Sequence, residues 1–256
     1  MRKFLLTMGI WWALVGAAFV ADRLSRTVSA APDVATLSAV KPIVLRYRAV
    51  LAAGDASIDN FDNAALAMAN RLERAGAETK VLTSDGSLVN GWRGYATADV
   101  IDQVLSDATA DEGCLVFITS HGSERGLAMG MDNAERYTLT PARLAEVLAR
   151  RCGPRPTVAI LSGCHTGTFL TPEMEAGNRI ILTASRKDRT SFGCSADTSF
   201  TYFDECLLEA LGDAGTWAAI FDRTKACVAA KEEALDAEPS LPQAYFGAAV
   251  KDLGVE

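Results

Sequence analysis

Two apolar runs stand out along the chain, and each ends in a reactive side chain. Leu115-Val116-Phe117-Ile118-Thr119-Ser120 closes on His121-Gly122-Ser123. Val158-Ala159-Ile160-Leu161-Ser162-Gly163 closes on Cys164-His165-Thr166-Gly167. Short apolar runs of this kind, rich in β-formers and bounded by Gly or Pro, predict strands buried on both faces of a parallel sheet. Pro141 to Arg150 predicts a helix between them, which makes a βαβ unit. In such sheets, functional groups collect just beyond the carboxyl ends of the strands. Parallel neighbours bring both carboxyl ends to one edge. The pattern therefore predicts a thiol, Cys164, beside a base, His121.

The remaining pattern extends this unit. Ile43 to Ala53 predicts a strand, and Asn60 to Ala75 a helix with Ala65, Met68, Ala69 and Leu72 on one face. Thr79 to Thr83 predicts a second strand. Thr97 is placed to cap a helix carrying Val100, Ile101, Val104 and Leu105. Gly122 to Thr138 is irregular and predicts a surface excursion. Thr140-Pro141 combines a cap with proline at the first helical position. Arg179 to Thr183 predicts a further strand, followed by helices over about 199–211 and 216–235. The order predicts helices on both faces of a mostly parallel sheet.

Composition narrows the class. The 256 residues suffice for one α/β domain. A net charge of −7 and the absence of any Lys/Arg block argue against a nucleic-acid partner. At the N-terminus, Arg2-Lys3 precede an uncharged stretch from Phe4 to Ala21. This predicts a signal peptide or an N-terminal membrane anchor over residues 1–30, the anchor reading attaching the protein to a membrane through residues 4–21. Val28-Ser29-Ala30 offers a small-residue cleavage site. Residues 31–41 read as a linker, and 42–256 as the domain. The expected location is the periplasm or the outer face of a cell membrane to which the segment anchors it, alternatively secretion. Six cysteines are present. Export exposes them to oxidation, so some are expected to pair. If Cys164 stays a thiol, five are left and at least one of them is unpaired. Cys114, opening a buried strand, reads as a small core residue.

The chemistry follows from the thiol. A free cysteine is mostly protonated at neutral pH, with a pKa of about 8.5. A nearby imidazole can take that proton and later return it to a leaving amine. The chain has two histidines. His165 adjoins Cys164, and neighbours leaving a strand point in different directions. His121 is the better base. The oxyanion of an acyl transfer needs N–H donors. Gly122, lacking a Cβ, and the amide of Cys164 are the candidates.

These residues carry a resemblance. His-Gly-Ser after one strand and Ser-Gly-Cys after the next resemble the legumain-type cysteine peptidases. Leu182-Thr183-Ala184-Ser185, the stretch Arg189 to Cys194, and Phe200-Thr201-Tyr202-Phe203 are similar to bacterial members. The similarity runs from about Leu51 to Pro242-Gln243. It implies a caspase-like three-layer α/β/α sandwich with a mostly parallel central sheet. It also implies a cysteine endopeptidase acting through a thioester on a peptide or protein substrate, with no cofactor and no metal. Asn60 stands where the family has an asparagine proposed to orient the histidine, a position that equally suits a helix cap. Legumains cleave after Asn and less readily after Asp. Asp62 and Asn63 occupy the positions of an arginine and a histidine of the legumain pocket. Ser162 replaces its acid two residues before the nucleophile, and Ser120 replaces the Asp before the histidine. Ser191 matches the pocket serine, and Glu205, or Asp204 before it, matches the remaining acid. A pocket lined by Asp62 and Glu205 would suit a Lys or Arg side chain.

Two other readings compete. A catalytically inactive caspase-like module that binds peptides or partners would explain the altered pocket. A metal site from His121, Cys164 and His165 ranks last, because adjacent Cys164-His165 is awkward spacing for one tetrahedral ion. Transamidation through the same acyl-enzyme is open, although nothing points to a lipid amine as acceptor.

Overall fold

A computed structural model describes residues 43–89, 92–130, 137–194, 198–213 and 215–255. The predicted signal or anchor segment and the linker lie outside the described residues. Among the described residues, no helix is long and apolar enough to cross a membrane.

Six strands form the central sheet: β1 (Tyr47–Ala53), β2 (Glu78–Leu82), β3 (Gly113–Thr119), β4 (Thr157–Ser162), β5 (Arg179–Thr183) and β6 (Gln243–Phe246). Their order is β6-β5-β4-β3-β1-β2. All pairings are parallel except β5 with β6. The helices are α1 (Asn60–Arg74), α2 (Ala98–Ser106), α3 (Pro141–Arg151), α4 (Tyr202–Ala210) and α5 (Trp217–Ala234).

Alternation along each strand sorts the core into two faces. Leu51, Leu115, Phe117, Val158, Ile160 and Leu182 pack with residues of α1, α4 and α5. Val50, Val116, Ile118, Ala159, Leu161 and Ile181 pack with α2 and α3. This is the caspase-like α/β/α sandwich. The central strands β3 and β4 are buried at every position, which explains why they read as unbroken apolar runs.

The helix starts follow local chemistry. Thr97 Oγ1 accepts from the amide of Val100 at 3.2 Å, and Thr140 Oγ1 from that of Arg143 at 3.3 Å. Pro141 occupies the first turn of α3. Thr201 and Thr216 cap α4 and α5 in the same way, so α4 begins at Tyr202 and not near Ser199.

Three expectations change. The strand predicted over Ile43–Ala53 is interrupted at the exposed Arg46. Ile43–Val44 pairs instead with Leu253–Val255, which also meets Gly215–Thr216. The excursion after His121 contains an antiparallel sheet of Gly122–Ser123, Gly126–Met129 and Tyr137–Leu139. Its first turn relies on Gly126, whose φ of 140° suits glycine. Finally, Cys114 is not a lone core thiol: it is disulfide-bonded to Cys152, and Cys206 to Cys227. Cys164 and Cys194 are free.

Candidate active site

The site is built on the last register pair of β3 and β4, where Thr119 lies opposite Ser162. His121 follows two residues after Thr119, and Cys164 two residues after Ser162. Both side chains are half-buried. The backbones beyond the strands also meet: a Cβ on Gly122 would overlap the carbonyl oxygen of Cys164. Only glycine allows the chain after His121 to lie this close to Cys164.

The turn around Cys164 is pinned from below. Thr166 Oγ1 and Ser185 Oγ both donate to the Gly163 carbonyl at 3.0 Å. The amide of Gly167 donates to the carbonyl of Ser185 at 2.8 Å. His165 adopts the left-handed region, with φ of 59°. Its amide donates to Arg189 O at 2.8 Å, and its Nδ1 donates to Lys187 O at 3.0 Å. His165 therefore anchors the 186–189 loop, and its ring does not share a ligand set with His121 and Cys164. Among the described residues, no group of three or more His, Cys, Asp or Glu is placed to hold a metal ion.

Two contacts orient the His121 ring. Ser57 Oγ and His121 Nε2 share a hydrogen bond of 3.1 Å. Phe61, fully buried on α1, meets the ring edge-to-face at 5.2 Å and 85°. Ser57 sits in a turn closed by its own amide on Asp55 Oδ1 at 2.8 Å. On the other side, the amide of Ser191 donates to Cys164 Sγ at 3.3 Å.

Asn60 is buried at the first turn of α1. Its amide nitrogen donates to Gly193 O at 3.0 Å and to Thr198 Oγ1 at 2.8 Å. Asp59 holds the cap position, without a side-chain capping bond.

An acid lies under the strand ends. Asp204 is fully buried. Thr119 Oγ1 donates to its Oδ2 at 2.7 Å, and Oδ1 has no hydrogen-bond partner among the described residues. Burial pushes its carboxyl up to about 6, opposed by the nearby hydroxyls of Ser162, Thr119 and Thr201. Ser162 Oγ lies 3.5 Å from Thr201 Oγ1. The other two acids are bonded within the chain. Asp62 is half-buried, and both its oxygens accept from Ser84, at 3.0 Å from the amide and 2.6 Å from the hydroxyl. Burial raises its pKa and the Ser84 bonds oppose this. Glu205 pairs with Lys231 at 3.0 Å.

The sequence model of the peptidase C13 family, that of legumain, matches residues 87–244. The chain belongs to the legumain family. Membership supports cysteine peptidase activity in general terms. A comparison with curated proteins finds no match.

Against this family background, the structure brings His121, Gly122, Cys164, Ser162 and Ser191 together at one sheet edge. Asp62 and Glu205 bond to different partners, Ser84 and Lys231, among the described residues. Ser57 and Phe61 escaped sequence reasoning. Ser57 is an unremarked turn residue, and Phe61 reads as one more apolar position on a helix.

Proposed function

We propose that the protein is a cysteine endopeptidase with His121 as base and Cys164 as nucleophile. The observation that carries this is the paired exit of the two residues from adjacent parallel strands, with Gly122 against the backbone of Cys164. His121 takes the thiol proton as Sγ attacks the scissile carbonyl carbon. The amides of Gly122 and Cys164 receive the oxyanion. Collapse breaks the C–N bond, His121 protonates the leaving amine, and a thioester forms. Water then gives a proton to His121 and attacks the thioester. The carboxylic acid leaves and the thiol re-forms.

The residue before the cleaved bond is Asn or Asp, as in the family. A basic residue there would need the carboxylates of Asp62 and Glu205. Ser84 takes up both oxygens of the first, and Lys231 neutralises the second. Export to an oxidising compartment, the periplasm or the outer face of the membrane, is supported by the disulfides Cys114–Cys152 and Cys206–Cys227.

The test is a peptide library varied at the residue before the cleaved bond, with Cys164→Ala as control. Cleavage after Asn and Asp that disappears in the control is the expected result. Cleavage that survives Cys164→Ala would overturn the mechanism, and a preference for Lys or Arg would overturn the specificity.

A further inference from the structure

The carbonyl of Gly163, directly before Cys164, is held by two hydroxyls. Thr166 Oγ1 and Ser185 Oγ each donate to it at 3.0 Å. Both residues are buried, so the clamp is shielded from competing water. We infer that Thr166 and Ser185 are positioning residues that aim the Cys164 amide at the oxyanion. The inference rests on the peptidase reading and adds two residues that act on the reaction through the backbone.

One peptide plane connects the clamp to the chemistry. The Gly163 carbonyl and the Cys164 N–H belong to the same trans peptide, so they point in opposite directions. Fixing the carbonyl therefore fixes the N–H. That amide has no acceptor among the described residues, which suits a donor kept for an oxyanion. The backbone of the other donor lies alongside: a Cβ on Gly122 would come within 3.0 Å of the Cys164 nitrogen.

A clamp is needed because residue 163 is glycine. A Cβ there would fall 2.5 Å from Ser120 O, so the close approach of the two strand ends excludes a larger residue. Glycine also leaves the following peptide free to turn. A turned peptide would present a carbonyl oxygen to the oxyanion in place of the N–H. The hydroxyls are themselves locked. The amide of Thr166 donates to Ser185 Oγ at 3.1 Å, and that of Ser185 to Thr166 Oγ1 at 3.3 Å. Each oxygen thus accepts from the other residue's backbone and keeps its own proton for the Gly163 carbonyl.

The test uses the full chain and the variants Thr166→Val, Thr166→Ser and Ser185→Ala. The first readout is turnover of a peptide that the unmodified protein cleaves. The second is a peptide aldehyde, to which the Cys164 thiol adds reversibly. Sγ bonds to the carbonyl carbon, the oxygen takes up the charge, and the thiol proton passes to His121. Its affinity is read from protection of Cys164 against alkylation. The third is the rate of alkylation by iodoacetamide, in which Sγ displaces iodide and no oxyanion forms. Thr166→Val and Ser185→Ala should each lower kcat about tenfold at nearly constant KM and weaken the aldehyde by a similar factor. A misaimed donor gives up part of the roughly 10²–10³-fold that one such donor supplies. Alkylation should keep its rate, and Thr166→Ser should restore turnover. An equal loss of alkylation, a loss in Thr166→Ser as large as in Thr166→Val, or an unchanged kcat in both clamp variants overturns the inference. The two sites are tested separately, so a variant that fails to fold leaves the other to decide. If the unmodified protein cleaves nothing but the aldehyde protects it, the hydrolysis reading fails and the aldehyde affinities still decide the clamp. Without protection, both fail.

Discussion

Thr119 Oγ1 donates to Asp204 Oδ2 at 2.7 Å, two residues before His121. Thr119 is paired in register with Ser162, two residues before Cys164. One buried carboxylate thus sits under both strand ends, and helix α4 delivers it through the Thr201 cap.

That carboxylate should make stability fall with rising pH. Its folded pKa of about 6 lies above the ordinary 3.8. The folded state therefore holds the proton more tightly than the unfolded chain. The contribution is intact below pH 3.8 and is lost progressively up to about pH 6, by on the order of 3 kcal/mol. Asp204→Asn keeps an acceptor for Thr119 and removes the titration. Denaturant melts from pH 4 to 7 should show a flatter profile in the variant and greater stability at pH 7. An unchanged slope would show that another group causes it.

His121 and His165 should behave differently. His121→Ala removes the base and should slow alkylation of Cys164 and turnover by about 10²–10⁴-fold. His165→Asn places a residue that tolerates the left-handed backbone, and should keep turnover within a few-fold. Mass-spectrometric labelling of Cys164 by an electrophile reads both variants. Equal losses would mean that the roles of the two histidines are misassigned.

Ser57 and Phe61 should act through the His121 ring. Ser57→Ala removes the partner of Nε2, and Phe61→Leu replaces the aromatic edge with similar volume. Each is expected to lower kcat by about tenfold, with KM nearly constant and a displaced pH profile, because a misplaced base raises the barrier without weakening binding. A rise in KM with unchanged kcat would assign these residues to substrate contact instead.

The Cys206–Cys227 bridge ties α4 to α5 across a separation of 21 residues. Restricting an unfolded loop of this length is worth about 3 kcal/mol. Replacing both cysteines with alanine should lower the midpoint of thermal unfolding by several degrees. No change would mean that the helix packing alone sets stability here.

Much of this architecture was legible from the chain alone. The runs ending at His121 and Cys164 are unbroken because β3 and β4 are buried on both faces, and that same burial placed them at the sheet centre. Thr97, Thr140 and Pro141 marked helix starts because capping is a local interaction. β6 was not legible. Gln-Ala-Tyr-Phe is short and half-buried throughout, and its strand form depends on pairing with β5.

The sequence by itself determined that His121 and Cys164 leave neighbouring strands at one sheet edge, since this depends on order along two strands. Tertiary structure alone decided the groups around them. Successive residues of a helix point about 100° apart, so one step turns Asp204 into the core while Glu205 meets Lys231 at the surface. Ser57 reaches His121 across 64 residues, and Cys114 reaches Cys152 across 38. Contacts of that kind are fixed by how the elements pack, and no local pattern in the chain encodes them.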